Sequence, residues 1–500
     1  LVHWAAALPH SNGRVGMTGP SYLGIIQLLT AARVGPGSPL KAIFPVIAGH
    51  DLYRDTAFAG GITNIEFGLP FLAAVGALHT VNPLVEHRND PGRAAGVIAQ
   101  HLPGLASFQA RLVAETLTGG ERAYDESWWM ARNPSAVLDQ IVANGVPAFM
   151  VGGWNDLFQR GAPLTYAGLQ NASVGRPVRA PMDPGQRATG RYQLLMGPWY
   201  HLNVPPRLLE RLQLSWFDTW LKDQPSGIAD TDKPLHLYDL AEKRFFDVAH
   251  YPLAEATPSA LFLNQGGTLT SEEPTTSGGS DPIVSTGVSS PCSRSTSQWG
   301  AGGFETAAEA FGMRNPCATE ARTQLPPGIL QYTSAPFEKP AVLAGPIGAT
   351  LYATSTRPDT QWVATLEDVA PDGTATALTS GWLLGSFREL DSESTWVAPD
   401  GRPILPHHPY TRASVAPVVP GEMTRYDIEV FPTVSTFAPG HSLRLTITTS
   451  DTPHLLPNPR QLVDLAGGVY AVSRQAGAAS FLEIPLADPG ALRAECSICQ

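Results

Sequence analysis

Two textures of hydrophobic patterning divide this chain. In the first part, short unbroken apolar runs end in glycine or a turn at Arg14 to Gly19, Lys41 to Ile47, Val146 to Gly152 and Tyr192 to Gly197. Runs of that length, apolar on every position, predict strands buried on both faces, as in a parallel sheet. Between and after them the period becomes helical. Ile25 to Ala32 follows the first strand directly, Leu105, Phe108 and Leu112 fall at helical spacing, and Leu212, Trp216 and Trp220 lie four apart on Leu208 to Lys222. From about Pro234 the pattern changes to short alternating stretches, such as Tyr426 to Val430 and Leu443 to Thr448, separated by turns such as Pro371-Asp372-Gly373. The Ser/Thr/Gly-rich stretch Gly266 to Gly303 reads as long loops among these strands. The expected class is α/β, with residues 1–50 and 146–233 forming an α/β sheet domain, 51–145 a helical cap that stops at Gly119-Gly120 among other places, and 234–500 a β-sandwich.

The chemistry sits where those strands end. Gly19-Pro20-Ser21-Tyr22-Leu23-Gly24 lies between the first strand and the first helix. A serine on so tight a turn projects its hydroxyl clear of the sheet, and the next backbone N–H, that of Tyr22, faces a developing oxyanion. A serine needs a base and an orienting acid to act as a nucleophile. Asp156 follows the third strand in Trp154-Asn155-Asp156, and His201 follows the fourth in Pro198-Trp199-Tyr200-His201. The order Ser, Asp, His is that of α/β-hydrolases. Each residue also has a plainer reading: a turn serine, an aspartate capping a helix, a loop histidine among thirteen. His50-Asp51 is a rival pair after the second strand, but its order fits less well, so His50 is read as a turn residue and Asp51 as the start of the cap.

Gly-Pro-Ser-Tyr-Leu-Gly, Gly-Gly-Trp-Asn-Asp and Gly-Pro-Trp-Tyr-His together resemble the three catalytic blocks of the cocaine-esterase-like hydrolases, a family that includes X-Pro dipeptidyl-peptidases and β-lactam acylases. The resemblance implies catalytic roles for Ser21, Asp156 and His201, an α/β-hydrolase sheet with inserted helical cap, and a C-terminal β jelly-roll domain. It also implies early sheet strands and a second oxyanion donor, a tyrosine hydroxyl, upstream of Leu1, so the sheet is expected to be N-terminally truncated, with about four strands and one bare edge.

The expected activity is hydrolysis of carboxylic esters through an acyl-enzyme. Alternatives are X-Pro dipeptidyl-peptidase or amide and β-lactam acylase activity, or a catalytically dead binding protein. An aminoacyl or peptide substrate carries an ammonium group needing carboxylates nearby, for which Glu66, Asp125 and Glu126 are candidates. A cap overhanging the strand ends would supply the substrate pocket, with Trp128, Trp129 and Phe158 as candidate lining residues and cap packing as their plainer role.

Charge narrows the partners. A net charge of -11 and a pI near 5.6 disfavour nucleic acid and anionic membranes, and no apolar run reaches transmembrane length, so the expected partner is a small-molecule ester or amide, with no cofactor and no metal. There are four cysteines. Cys292 and Cys317 are expected to form a disulfide, worth roughly 3 kcal/mol in the chain-entropy model, in an extracellular or secreted setting. Cys496-Ser497-Ile498-Cys499 has the spacing of a redox motif or half a zinc site, but the sequence shows no second pair of ligands, so it is read as a disulfide-closed tail.

Overall fold

The computed structural model describes residues 1–287, 294–303, 312–313 and 328–499. Cys292 and Cys317 lie outside the described residues, and so does their expected bridge.

In chain order, α1 (Val2–Ala6) leads to β1 (Val15–Pro20), α2 (Tyr22–Arg33) and β2 (Leu40–Val46). The cap opens with the short hairpin β3 (Phe58–Ala59) and β4 (Ile62–Asn64), then α3 (Gly68–Glu86), α4 (Pro91–Gly104), α5 (Arg111–Thr118) and α6 (Ser127–Met130). The chain returns through α7 (Leu138–Ala143) to β5 (Ala148–Gly153), α8 (Gly161–Ser173), β6 (Tyr192–Gly197), α9 (Pro206–Lys222), β7 (Leu235–Asp239) and β8 (Arg244–Val248).

The four expected strands pair in the order β1-β2-β5-β6, all parallel. The sheet does not stop there: β7 continues it in parallel and β8 pairs antiparallel on its outer edge, so it has six strands and runs past the boundary expected at residue 233. The alternation in Leu235-His236-Leu237 resembles a sandwich strand, but His236 is as buried as its neighbours, so the alternating polar position faces protein, not water. Both faces are covered. Leu28 and Ala31 of α2 pack with Ile43, Met150 and Leu194, while Leu212 and Trp216 of α9 pack with Phe44 and Phe149 on the other side. Trp216 is fully buried, its ring 5.6 Å from that of Phe149, and its Nε1 donates to the Ile43 carbonyl, so its polar atom is satisfied inside the core.

The cap is helical as expected. Residues 91–118 form a nearly continuous helical run with a π-helical turn at Leu105–Ala110, and Gly119 ends it in the left-handed region at φ 76°. The 19-residue α3 is long and apolar enough, by length and composition, to cross a membrane, and it lies largely exposed. Scanning for unbroken apolar runs misses it because His79, Thr80 and Asn82 interrupt the series.

The β-rich C-terminal part is a twelve-stranded sheet that closes on itself. Strand Ala341–Ser355 makes the closure, pairing with Thr424–Phe437 on one side and with Phe481–Ala487 on the other. This body is joined to the cap by backbone pairing, since Leu455 and Leu456 pair with Asn64 and Thr63 of β4. A buried ion-pair network reinforces the junction. Arg160 at the start of α8 reaches Asp55 at 3.2 Å and Glu429 at 2.7 Å, and Arg54 reaches Asp51 at 3.1 Å and Asp125 at 3.0 Å.

Candidate active site

The turn from β1 into α2 is strained at one residue. Ser21 has φ 58° and ψ -126°, an arrangement that side chains rarely adopt, and its N–H is held by the carbonyls of Val46 and Ile47 at 2.9 and 3.0 Å. The flanking glycines make the turn possible. A Cβ on Gly19, whose φ is 147°, would lie 2.7 Å from the Cβ of Leu23, and one on Gly24 would lie 3.1 Å from the Val46 carbonyl oxygen. The sequence pattern therefore has a steric cause at both ends.

Strands β5 and β6 deliver the other two residues. They are in register, Gly152 beside Met196 and Gly153 beside Gly197, so the loops after them leave the sheet side by side. Trp154 N–H donates to the Gly197 carbonyl and Asn155 Nδ2 to the Pro198 carbonyl, fixing one loop against the other. The result is a hydrogen-bonded line: Ser21 Oγ lies 2.8 Å from His201 Nε2, and His201 Nδ1 lies 2.7 Å from Asp156 Oδ1. With the carboxylate as acceptor, Nδ1 carries the proton and Nε2 faces the serine hydroxyl as a base. Asp156 is fully buried, and its second oxygen, Oδ2, accepts from the Phe158 N–H at 2.9 Å. Tyr22 opens α2, where the first N–H groups have no acceptor within the helix and the helix dipole favours a developing negative charge.

Of the expected pocket residues, the structure brings only Phe158 to this line, its ring edge-on to His201 at 5.5 Å. Trp128 and Trp129 belong to the cap's own aromatic core. Their rings meet at 4.7 Å, Trp129 packs on Tyr53 and Phe58, and Arg122 and Arg132 cover Trp128. Tryptophans four and three residues before an arginine are as well suited to cap packing as to a pocket, and here they pack within the cap. The rival pair also separates. His50 Nδ1 contacts Thr165 Oγ1, and burial together with Arg160 lowers its pKa to about 3, while Asp51 pairs with Arg54. Asp125 likewise serves Arg54, and burial raises its pKa to about 7.

Two contributors had no sequence signal. Phe67, just before α3, sets its ring edge-on to His201 at 6.1 Å and stacks on Phe71. Its neighbour Glu66, one of the three carboxylates named from sequence for a substrate ammonium, has a buried Oε2 with no hydrogen-bond partner among the described residues, and burial, helped by Asp451, pushes its pKa up to about 8. The other is Gln298 on α10 (Arg294–Trp299), in the stretch expected to be loop, whose Nε2 donates to the main-chain carbonyl of Asp156 at 2.7 Å.

Known proteins share this architecture. The model of the X-Pro dipeptidyl-peptidase S15 family matches residues 1–203, and that of the X-Pro dipeptidyl-peptidase C-terminal non-catalytic domain matches residues 227–475. A Mycobacterium bovis protein carrying a serine-esterase designation is 27% identical over 532 residues, covering 98% of this chain and 78% of the relative. Cocaine esterase of a Rhodococcus species is 26% identical over 509 residues, covering 94% and 77%. Among solved structures, a CocE/NonD family hydrolase from Staphylococcus aureus superposes with a TM-score of 0.67 at 19% identity, over 97% of this chain and 74% of that one. An α-amino-acid ester hydrolase superposes with a TM-score of 0.69 at 20% identity, over 97% and 79%. At these identities the two structures speak for the fold alone.

Proposed function

Because this chain belongs to the cocaine-esterase-like and X-Pro dipeptidyl-peptidase family of α/β-hydrolases, we propose that it hydrolyses carboxylic esters through a Ser21 acyl-enzyme. The observation that carries the reading is the unbroken line from Ser21 Oγ through the His201 imidazole to the buried Asp156 carboxylate. Ser21 Oγ attacks the acyl carbonyl as its proton passes to His201 Nε2, and the Tyr22 N–H receives the oxyanion. The imidazolium, steadied by Asp156, then protonates the leaving alkoxide. Water repeats the sequence on the acyl-enzyme, giving up a proton to His201 and returning the serine hydroxyl with release of the acid.

Ester over peptide is favoured by the charge around the line. Glu66 adjoins Phe67, whose ring touches His201, and with its pKa raised to about 8 it is mostly neutral near pH 7, which offers little to a substrate ammonium. Phe67 and Phe158 instead present apolar edges suited to an acyl chain.

The test is labelling with a fluorophosphonate, followed by peptide mapping, alongside turnover of p-nitrophenyl esters and of Xaa-Pro anilides. Label on Ser21 with ester turnover supports the proposal. Label on Ser21 with anilide turnover alone would assign the peptidase reading, and an unlabelled Ser21 would leave a binding protein.

A further inference from the structure

We propose that, once the Cys496–Cys499 disulfide is reduced, the C-terminal tail and the outer strands of the hydrolase sheet form a binding site for one divalent metal ion of the zinc class, with His236, Asp247, Cys496 and Cys499 as ligands. The tail motif, whose spacing also suits half a zinc site, lacks a second pair of ligands only in the sequence. The fold supplies it from β7 and β8.

The tail is docked on the edge of the sheet. Asp247 N–H donates to the Ala494 carbonyl, Phe246 and Glu495 form an antiparallel bridge, and Ser497 donates to Asp247 Oδ2 through its N–H at 3.0 Å and its hydroxyl at 3.1 Å. This brings His236 Nδ1, Asp247 and Cys496 Sγ within 4.8 Å of one another, all three residues buried. Cys496 is bonded to Cys499, closing the tail as expected. Tetrahedral coordination at about 2.0–2.3 Å separates ligand atoms by roughly 3.3–3.8 Å. The Sγ to Nδ1 distance is already 3.8 Å. The Nδ1 to Oδ1 distance, 2.6 Å, has to open by about 0.7 Å.

The hydrogen bonding around His236 asks for a positive species at this point. Gln193 Nε2 donates to the carbonyls of Gly190 and Ile228, both at 2.7 Å, which fixes its Oε1 as the atom 3.2 Å from His236 Nε2. An amide oxygen only accepts, so Nε2 carries a proton. In the neutral ring Nδ1 is then bare, and it faces the Asp247 carboxylate, a second acceptor, at 2.6 Å in a fully buried setting. Two acceptors at that distance need a proton or a metal ion between them. The same Gln193 contact is the outer hydrogen bond that orients a metal-binding imidazole.

A surface cavity reaches the cluster at Asp247. It has a volume of about 530 Å³ and is lined by Asp230, Asp232, Glu495 and Ser497, so a cation meets carboxylates on the way in. Two thiolates, an imidazole and a carboxylate suit zinc over calcium or magnesium, which take oxygen ligands. The chemistry balances with a dithiol reductant. It delivers two electrons and two protons to the S–S bond, giving two thiols and its own disulfide. The metal then replaces the thiol protons and the proton shared by His236 and Asp247, which pass to solvent.

The experiment is a cobalt(II) titration of the full chain carrying Cys292→Ser and Cys317→Ser, so that Cys496 and Cys499 are its remaining cysteines. After phosphine reduction, one cobalt per chain should bind with thiolate charge-transfer and tetrahedral d–d absorption, and zinc should displace it. The oxidised chain should show neither band. His236→Gln should weaken binding at least tenfold. Reduced chain without these bands overturns the proposal, and so does unchanged affinity in folded His236→Gln, which would make the metal a guest of the bare tail. Should that variant not fold, X-ray absorption of the zinc-loaded parent decides. A shell of two sulfurs with one imidazole nitrogen supports the site, and any shell lacking the nitrogen overturns it.

Discussion

Gln298 donates a 2.7 Å hydrogen bond to the main-chain carbonyl of Asp156, although the two residues lie 142 positions apart and belong to different halves of the molecule. The same amide nitrogen reaches Gln159 Oε1 at 2.9 Å, and Arg294 donates to both Gln159 and the Trp154 carbonyl, so α10 holds the loop bearing the buried acid along its whole length. Gln298→Ala should therefore lower kcat about tenfold with KM for a p-nitrophenyl ester little changed, because a loop that shifts by a fraction of an ångström misplaces the imidazole, not the substrate. Loss of Tm with kcat intact would reduce Gln298 to a packing residue.

Asp156→Asn keeps the side-chain volume and removes the charge that holds the Nδ1 proton. Turnover should fall by a factor on the order of 10³–10⁴ while circular dichroism and thermal unfolding stay close to the parent, as for acids in such triads. A fall below tenfold would show that His201 takes its orientation from elsewhere.

Glu66 ties stability to pH. Its folded pKa of about 8 lies above the ordinary 4.5, so between those values the unfolded chain releases a proton that the folded chain keeps, and the contribution to stability shrinks as pH rises through the window. Glu66→Gln should match the parent near pH 4.5 and exceed it at pH 8 in urea unfolding. Parallel curves across the range would mean that the carboxyl is ionised in the fold.

Arg160 is 3% exposed in its side chain and neutralises two buried carboxylates, Asp55 and Glu429. Removing one member of such a network leaves charge without compensation, so Arg160→Met should cost about 3 kcal/mol in chemical denaturation. Burial already raises the Asp55 pKa to about 6, so the deficit should be smaller below that pH. An undiminished loss at pH 5 would assign the damage to packing.

Much of the site was legible because its cause is local. Strand ends, glycines that spare Leu23 and Ala48, and the register of β5 with β6 are all encoded within a few residues of Ser21, Asp156 and His201. What escaped depends on long-range pairing. Nothing about Gln298 in a Ser/Thr/Gly-rich stretch announces a helix beneath the acid loop, and Phe67 becomes a neighbour of the imidazole only after β4 pairs with Leu455 and Leu456. The alternation in β7 misleads for the same reason, since its polar residue His236 is buried against Gln193 and Asp247, not turned to solvent. Aromatic residues carry too little information alone: Trp128 and Trp129 look like pocket walls, yet Arg122 and Arg132 cover Trp128 and Trp129 packs on Tyr53 and Phe58.

The pairing of β4 with Leu455 and Leu456 bears on how such a protein can change over evolutionary time. Here the segment that carries Glu66 and Phe67 is stitched by main-chain bonds to the far half, where Ile65 N–H also meets the His454 carbonyl. A transplanted cap would arrive without its stitching partner. Specificity in this lineage should drift by point changes at Phe67, Phe71 and Phe158, and recombination at the cap borders should yield mostly inactive chimaeras.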